Sequence, residues 1–134
     1  MPGFLVDNNH LSSAIARVSP VRERLYQLHR TGARIGTCIP VICELEAGIQ
    51  QTRDPAAYRR RLKHLADYVR IWPIDQQVAD LYGQVYLELK RQGRALSQVD
   101  MIVAALARQM NLTVLTADHD FEALPDIRTE NWLS

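Results

Sequence analysis

The sequence predicts an α/β fold with a parallel sheet covered on both faces, and three observations carry that prediction. Short apolar runs of strand length alternate with longer segments of helical periodicity along the whole chain. The strand-length runs are continuously apolar, which suits strands packed on both sides. One helical segment is apolar at every position from residue 99 to residue 107 except Asp100, so it is expected to be buried nearly all round.

Taken in order, residues 4–6 form a strand ending at Asp7, which delivers a carboxylate before a helix capped by Asn8 or Asn9. Ser19 and Pro20 supply the N-cap and first position of a second helix, with Val21, Leu25 and Leu28 on its apolar face and a stop at Thr31 and Gly32. A strand over 34–37 leads to Pro40, which opens a helix carrying Val41, Ile42, Leu45 and Ile49 on one side. Asp54 and Pro55 repeat the cap-and-proline signal before a helix with the densest basic cluster, Arg59 to Lys63. A strand over 69–74 ends at Asp75, the N-cap of a long helix over 76–91 that closes at Gly93. The apolar helix follows as far as Met110 and Asn111, then a strand over 112–116, a short helix starting at Asp118 and a last strand over 127–132. No linker, internal repeat or low-complexity segment interrupts this order, so 1–134 reads as one domain.

Composition narrows the class. With 134 residues, 47% hydrophobic and 23% charged, the chain is an ordinary globule able to bury roughly two thirds of its unfolded surface. Met1-Pro-Gly is followed by only three apolar residues before Asp7 and no run reaches the length of a membrane span, so neither signal peptide nor membrane segment is expected and the location reads as cytoplasmic. Cys38 and Cys43 flank Pro40 and suit buried thiols better than a disulfide or a metal site. A net charge of +1 excludes a global basic field. Fourteen of the sixteen basic residues are Arg, a residue that binds phosphate bidentately, although genome base composition produces the same bias.

The acids divide by position. Asp7 and Asp118 follow the first and fourth strands, at the sheet edge where parallel folds bind ligands, and Asp100 sits in the first turn of the apolar helix leading to that edge. Ser97 three residues before Asp100 also makes a capping box. On a helical wheel Glu44 flanks the stripe of Val41, Leu45 and Ile49, so it is expected to be the partly buried acid and Glu46 the solvated one, with Gly48 leaving room beside Glu44. Each acid alone has a structural explanation as a cap or rim charge. Jointly they repel, by about 4 kcal/mol for a pair about 4 Å apart at an effective dielectric near 20, and are stable only with a cation or with raised pKa values. Oxygen ligands without His or Cys point to Mg²⁺ or Mn²⁺. His10 and His119 are expected at the rim, as RNA-contact candidates, and His29 and His64 in solvent.

Four segments together resemble a known set: Leu5-Val-Asp7-Asn-Asn9, Glu44-Leu-Glu-Ala-Gly48, Val99-Asp100-Met-Ile-Val-Ala-Ala105 and Leu115-Thr-Ala-Asp118-His-Asp120-Phe121. In order and approximate spacing they are similar to the motifs of PIN-domain ribonucleases, nearest to the small VapC-type toxins of bacterial toxin–antitoxin pairs. The resemblance implies a three-layer α/β/α sandwich and Mg²⁺- or Mn²⁺-dependent endoribonuclease activity. Asp7, Glu44, Asp100 and Asp118 match the catalytic, metal-holding quartet; Asn9 and Thr116 match its supports, and Asp120 competes with Asp118 for the fourth place. Asn8 stands where many members have Thr, and Ser97-Gln98 replaces a frequent Gly-Pro. Also implied are a homodimer and a small antitoxin whose peptide crosses the acidic groove. Arg59, Arg60 and Lys63 are candidates for RNA phosphate contacts.

Rival chemistries lack their residues. An aspartyl-phosphate receiver needs a Lys after a later strand, and Lys63 and Lys90 lie within helices; an Asp-x-Asp phosphatase fails at Asn9; no P-loop or Gly-x-Gly-x-x-Gly motif occurs. The alternative from another class is a catalytically inactive PIN-like domain that binds RNA or a protein partner.

Overall fold

The computed structural model describes residues 2–133. Five parallel strands form one sheet in the order β3-β2-β1-β4-β5, with β1 (Gly3–Val6) at its centre, β2 (Arg34–Thr37) and β3 (Arg70–Ile71) on one side, and β4 (Thr113–Leu115) and β5 (Thr129–Glu130) on the other. Successive side chains of a strand face opposite sides of a sheet. Since Phe4, Leu5 and Val6 are all buried, both faces are covered, giving the expected three-layer α/β/α sandwich.

Six helices make the outer layers: α1 (Asn8–Ala14), α2 (Pro20–Arg30), α3 (Ile39–Gln50), α4 (Pro55–Leu65), α5 (Gln76–Arg91) and α6 (Gln98–Met110). Their starts follow the sequence signals closely. Ser19, Asp54, Asp75 and Ser97 each accept a hydrogen bond from a first-turn backbone N–H. Three stops use left-handed backbone, Gly32 at φ 83° after α2, Gly93 at φ 67° after α5 and Asn111 at φ 55° after α6. In α6 five consecutive residues from Val103 to Ala107 are buried, because the helix packs on α5 at one flank and on β1 and β4 at another.

Several boundaries differ from the sequence reading. The N-cap of α1 is Asp7 itself, not Asn8 or Asn9, since its carboxylate accepts from the Asn8 N–H. The third strand keeps only Arg70–Ile71: Trp72 N–H still reaches Thr37 O at 2.8 Å, and Pro73 then has no donor to continue the ladder. The last strand shrinks to Thr129–Glu130 at the opposite edge. Cys38 is a buried thiol but Cys43 is exposed, on the solvent face of α3. Gly36 is required by packing: a Cβ there would lie 2.7 Å from the Trp72 indole. Among the described residues no helix is long and apolar enough to cross a membrane.

Candidate metal centre

Strand order reverses between β1 and β4, and the chain leaves their C-terminal ends through Asp7 and through Thr116 to Asp118. That crevice is the ligand position of open parallel sheets. Asp7 is held from all sides. Its backbone N–H continues the ladder to Leu115 O at 3.1 Å, its Oδ1 accepts from Asn8 N–H at 2.8 Å, and its Oδ2 accepts from the Thr116 hydroxyl at 2.9 Å. The preceding carbonyl, Val6 O, accepts from the fully buried Thr37 hydroxyl at 2.8 Å. Only 4% of Asp7 is exposed.

Thr116 organises the other strand end. Besides donating to Asp7, its Oγ1 accepts from the Asp118 N–H at 3.0 Å and from the Asn9 amide at 3.3 Å. Asp118 caps a short 3-10 helix, His119–Ala123, by accepting from the Asp120 N–H at 2.8 Å. Asp100 arrives from α6, whose Ser97 hydroxyl accepts the Asp100 N–H at 3.1 Å. One carboxylate oxygen each from Asp100, Asp118 and Asp120 lie within 4.8 Å of one another. The geometry therefore brings Asp118 and Asp120 in together with Asp100.

Asp7 and Glu44 stand outside this trio but share its field. The Asp7 pKa is raised, first by burial and then by Asp118, with the Asn8 N–H and Thr116 pulling the other way. Asp100 is pushed up to about 7, chiefly by burial and then by Asp7, with Asp118 and Glu44 adding to the rise and Ser97 opposing it. Glu44 is raised by desolvation and by Asp7. Among the described residues no ion pair reaches any of these five carboxylates. A mutually repelling oxygen cluster that runs from the buried Asp7 to the exposed Asp120, without a protein cation, has the donor chemistry of a hard divalent metal.

Other expectations fare unevenly. Glu44 does face the centre, yet it is the more exposed acid of its pair, and Glu46 is the half-buried one, shielded by Arg59 at 3.3 Å. The wheel gave the direction of Glu44 and could not give the cover that α4 lays over Glu46. A Cβ on Gly48 would meet nothing, so the space beside Glu44 is open. Arg60 and Lys63 are exposed on α4. His119 is exposed beside Glu122, whereas His10 is no rim residue: it is completely buried, with both ring nitrogens engaged. Thr37 and Trp132 also support the site; neither carries a charge or motif that marks it in the sequence.

The PIN domain family model matches residues 4–127. The chain belongs to the PIN domain family. Curated relatives of this PIN domain include the tRNA(fMet)-specific endonuclease VapC of Shigella flexneri, 28% identical over 131 residues that cover 96% of this chain and 97% of the relative. Ribonuclease VapC5 of Mycobacterium tuberculosis is 32% identical over 94 residues, 68% of this chain and 69% of the relative. Among solved structures, DNA-bound VapBC of Salmonella typhimurium superposes with a TM-score of 0.82 at 25% identity, covering 98% of this chain and 99% of the other. VapBC2 of Rickettsia felis bound to a promoter DNA fragment gives 0.85 at 21% identity, covering 97% and 98%.

Proposed function

We propose that this PIN domain is a metal-dependent endoribonuclease, acting in the cytoplasm as the toxin of a type II toxin–antitoxin pair, with 1–134 forming one functional unit. The observation that carries the reading is the set of converging carboxylates at the β1/β4 crevice with no protein cation among them. Asp7, Glu44, Asp100 and Asp118 would hold Mg²⁺ or Mn²⁺, with Asp120 close enough to join them. A bound divalent ion supplies an acidified water and neutralises charge on the phosphate and leaving oxygen.

The chain's own part is placement. Asp7 already has one oxygen on Asn8 N–H and the other on Thr116, so it cannot swing away from the crevice. Thr116 fixes that orientation from the neighbouring strand end and is itself held by the Asn9 amide of α1. Of the two histidines nearest the crevice, His10 is buried and fully bonded and His119 points to Glu122, so neither is placed to take a ribose 2′-hydroxyl proton. In the proposed reaction a water attacks the phosphorus and the P–O3′ bond breaks, leaving a 3′-hydroxyl and a 5′-phosphate.

RNA as substrate is supported by the named activities of the relatives, and the tRNA(fMet) specificity of the Shigella relative makes initiator tRNA the first substrate to try. Solved neighbours are VapBC complexes, which supports an antitoxin partner; in the proposed reading its peptide crosses the acidic crevice and the toxin is a homodimer. Arg59, Arg60 and Lys63 are proposed phosphate contacts. The test is cleavage of a labelled tRNA pool by Asp7→Asn and Asp100→Asn proteins that keep the wild-type circular dichroism spectrum. Each is expected to lose about 100-fold or more in kcat; wild-type activity in either would remove the mechanism.

A further inference from the structure

We infer that His10 is a positioning residue that ties the backbone of the C-terminal segment to the side chains aiming Asp7. The direction of every hydrogen bond in this connection is set by a backbone N–H, so none depends on an assumed proton. Trp132 N–H donates to His10 Nε2 at 2.9 Å, which makes that nitrogen the acceptor. The proton of the neutral ring therefore sits on Nδ1 and is donated to Asn9 Oδ1 at 2.7 Å. Ala117 N–H donates to the same oxygen at 3.2 Å, which fixes the amide so that its Nδ2 faces Thr116 Oγ1 at 3.3 Å. That hydroxyl also accepts the Asp118 N–H, so its own proton is left for Asp7 Oδ2. Three side chains, those of His10, Asn9 and Thr116, thus link the Trp132 N–H to Asp7 in one orientation only.

The far end of the connection is well seated. Thr116 N–H pairs with Glu130 O at 2.9 Å, just upstream of Trp132. The Trp132 indole lies under the Arg24 guanidinium at 4.2 Å and against the Phe4 ring at 6.1 Å between centroids. An apolar residue would fill the His10 position at less desolvation cost than an imidazole. A ring with 0% exposure and two partnered nitrogens is instead suited to transmit position between α1 and the chain after β5. Partners one step removed from metal ligands set ligand orientation and affinity.

This inference rests on the metal-dependent reading above, and the experiment separates the two. Mn²⁺ is titrated by calorimetry into the wild-type chain and the His10→Phe, Trp132→Ala and Trp132→Pro variants, with thermal melting of each metal-free protein and kcat and KM on RNA. The Trp132 pair isolates the donor, since both lose the indole and only Pro loses the N–H. His10→Phe and Trp132→Pro are expected to bind Mn²⁺ about tenfold more weakly, with kcat reduced and KM little changed, while Trp132→Ala, which loses the seating of the indole but keeps the N–H, falls between them and wild type. A His10→Phe protein that melts lower yet binds Mn²⁺ like wild type reduces the imidazole to a core filler and overturns the inference. Should His10→Phe fail to fold, equal Mn²⁺ affinity in Trp132→Pro and Trp132→Ala overturns it instead. A wild-type chain that takes up no Mn²⁺ removes the metal-dependent reading and this inference with it.

Discussion

Asp100 and His10 oppose each other in the pH dependence of the metal-free protein. The Asp100 carboxyl is raised from 3.8 to about 7, so between those values the folded chain keeps a proton that the unfolded chain releases, and stability falls as pH rises. Burial lowers the His10 imidazole from 6.5 to about 4, so across that window the unfolded chain gains a proton and stability falls as pH drops. Protonation of His10 Nε2 would also oppose the Trp132 N–H that it accepts. The two slopes overlap and partly cancel, and single substitutions expose them. Going from about pH 7.5 to about pH 4.5 in chelator, wild type should lose roughly 2–3 kcal/mol more than His10→Phe in urea unfolding. Asp100→Asn should instead be the more stable protein at alkaline pH, and its melting temperature should not respond to Mn²⁺. An unchanged pH profile in His10→Phe would show that the ring is not held neutral by its surroundings. The sequence identified the acids because charge inside apolar runs is conspicuous. It misplaced His10, since a neutral ring bonded to an amide 122 residues away leaves no local trace.

At the level of elements, helix starts were legible and strand lengths were not. Caps such as Ser19, Asp54, Asp75 and Ser97 act on N–H groups within three residues, so local sequence determines them. The edge strands β3 and β5 are short because pairing depends on a neighbour far along the chain and on where Pro73 interrupts it. The same distinction hides the strongest ion pairing. Arg108 in α6, only 14% exposed, binds Glu88 of α5 at 2.9 Å and both oxygens of Asp126, before β5, at 2.8 Å. It fastens α5, α6 and the approach to β5 at a distance from the carboxylate crevice. Arg108→Met should cost about 1–2 kcal/mol in chemical unfolding, because Glu88 and Asp126 are partly exposed and recover water when the guanidinium is removed. Mn²⁺ affinity should be unaltered; a loss comparable to that of Asp100→Asn would mean that α6 is placed by this ion pair and not by its apolar packing.

Across the whole molecule, the fold class and the general location of the site followed from alternation and from the rule that parallel sheets bind at their C-terminal edge. What the linear sequence could not give is which acids meet. Asp118 and Asp120 sit two residues apart on a 3-10 turn that carries both toward Asp100, whereas the wheel made Glu44 the partly buried acid of its pair and the structure leaves it the exposed one. The net charge of +1 conceals this segregation: at least five carboxylates face one crevice while Arg59, Arg60 and Lys63 lie on α4. The chemistry of the ends produced from a defined RNA tests the central claim most directly, because it reports on the attacking group. With Mg²⁺ or Mn²⁺ the protein should release fragments with 5′-phosphate and 3′-hydroxyl ends, and chelator should abolish cleavage. Fragments ending in a 2′,3′-cyclic phosphate, or cleavage that persists in chelator, would contradict the account.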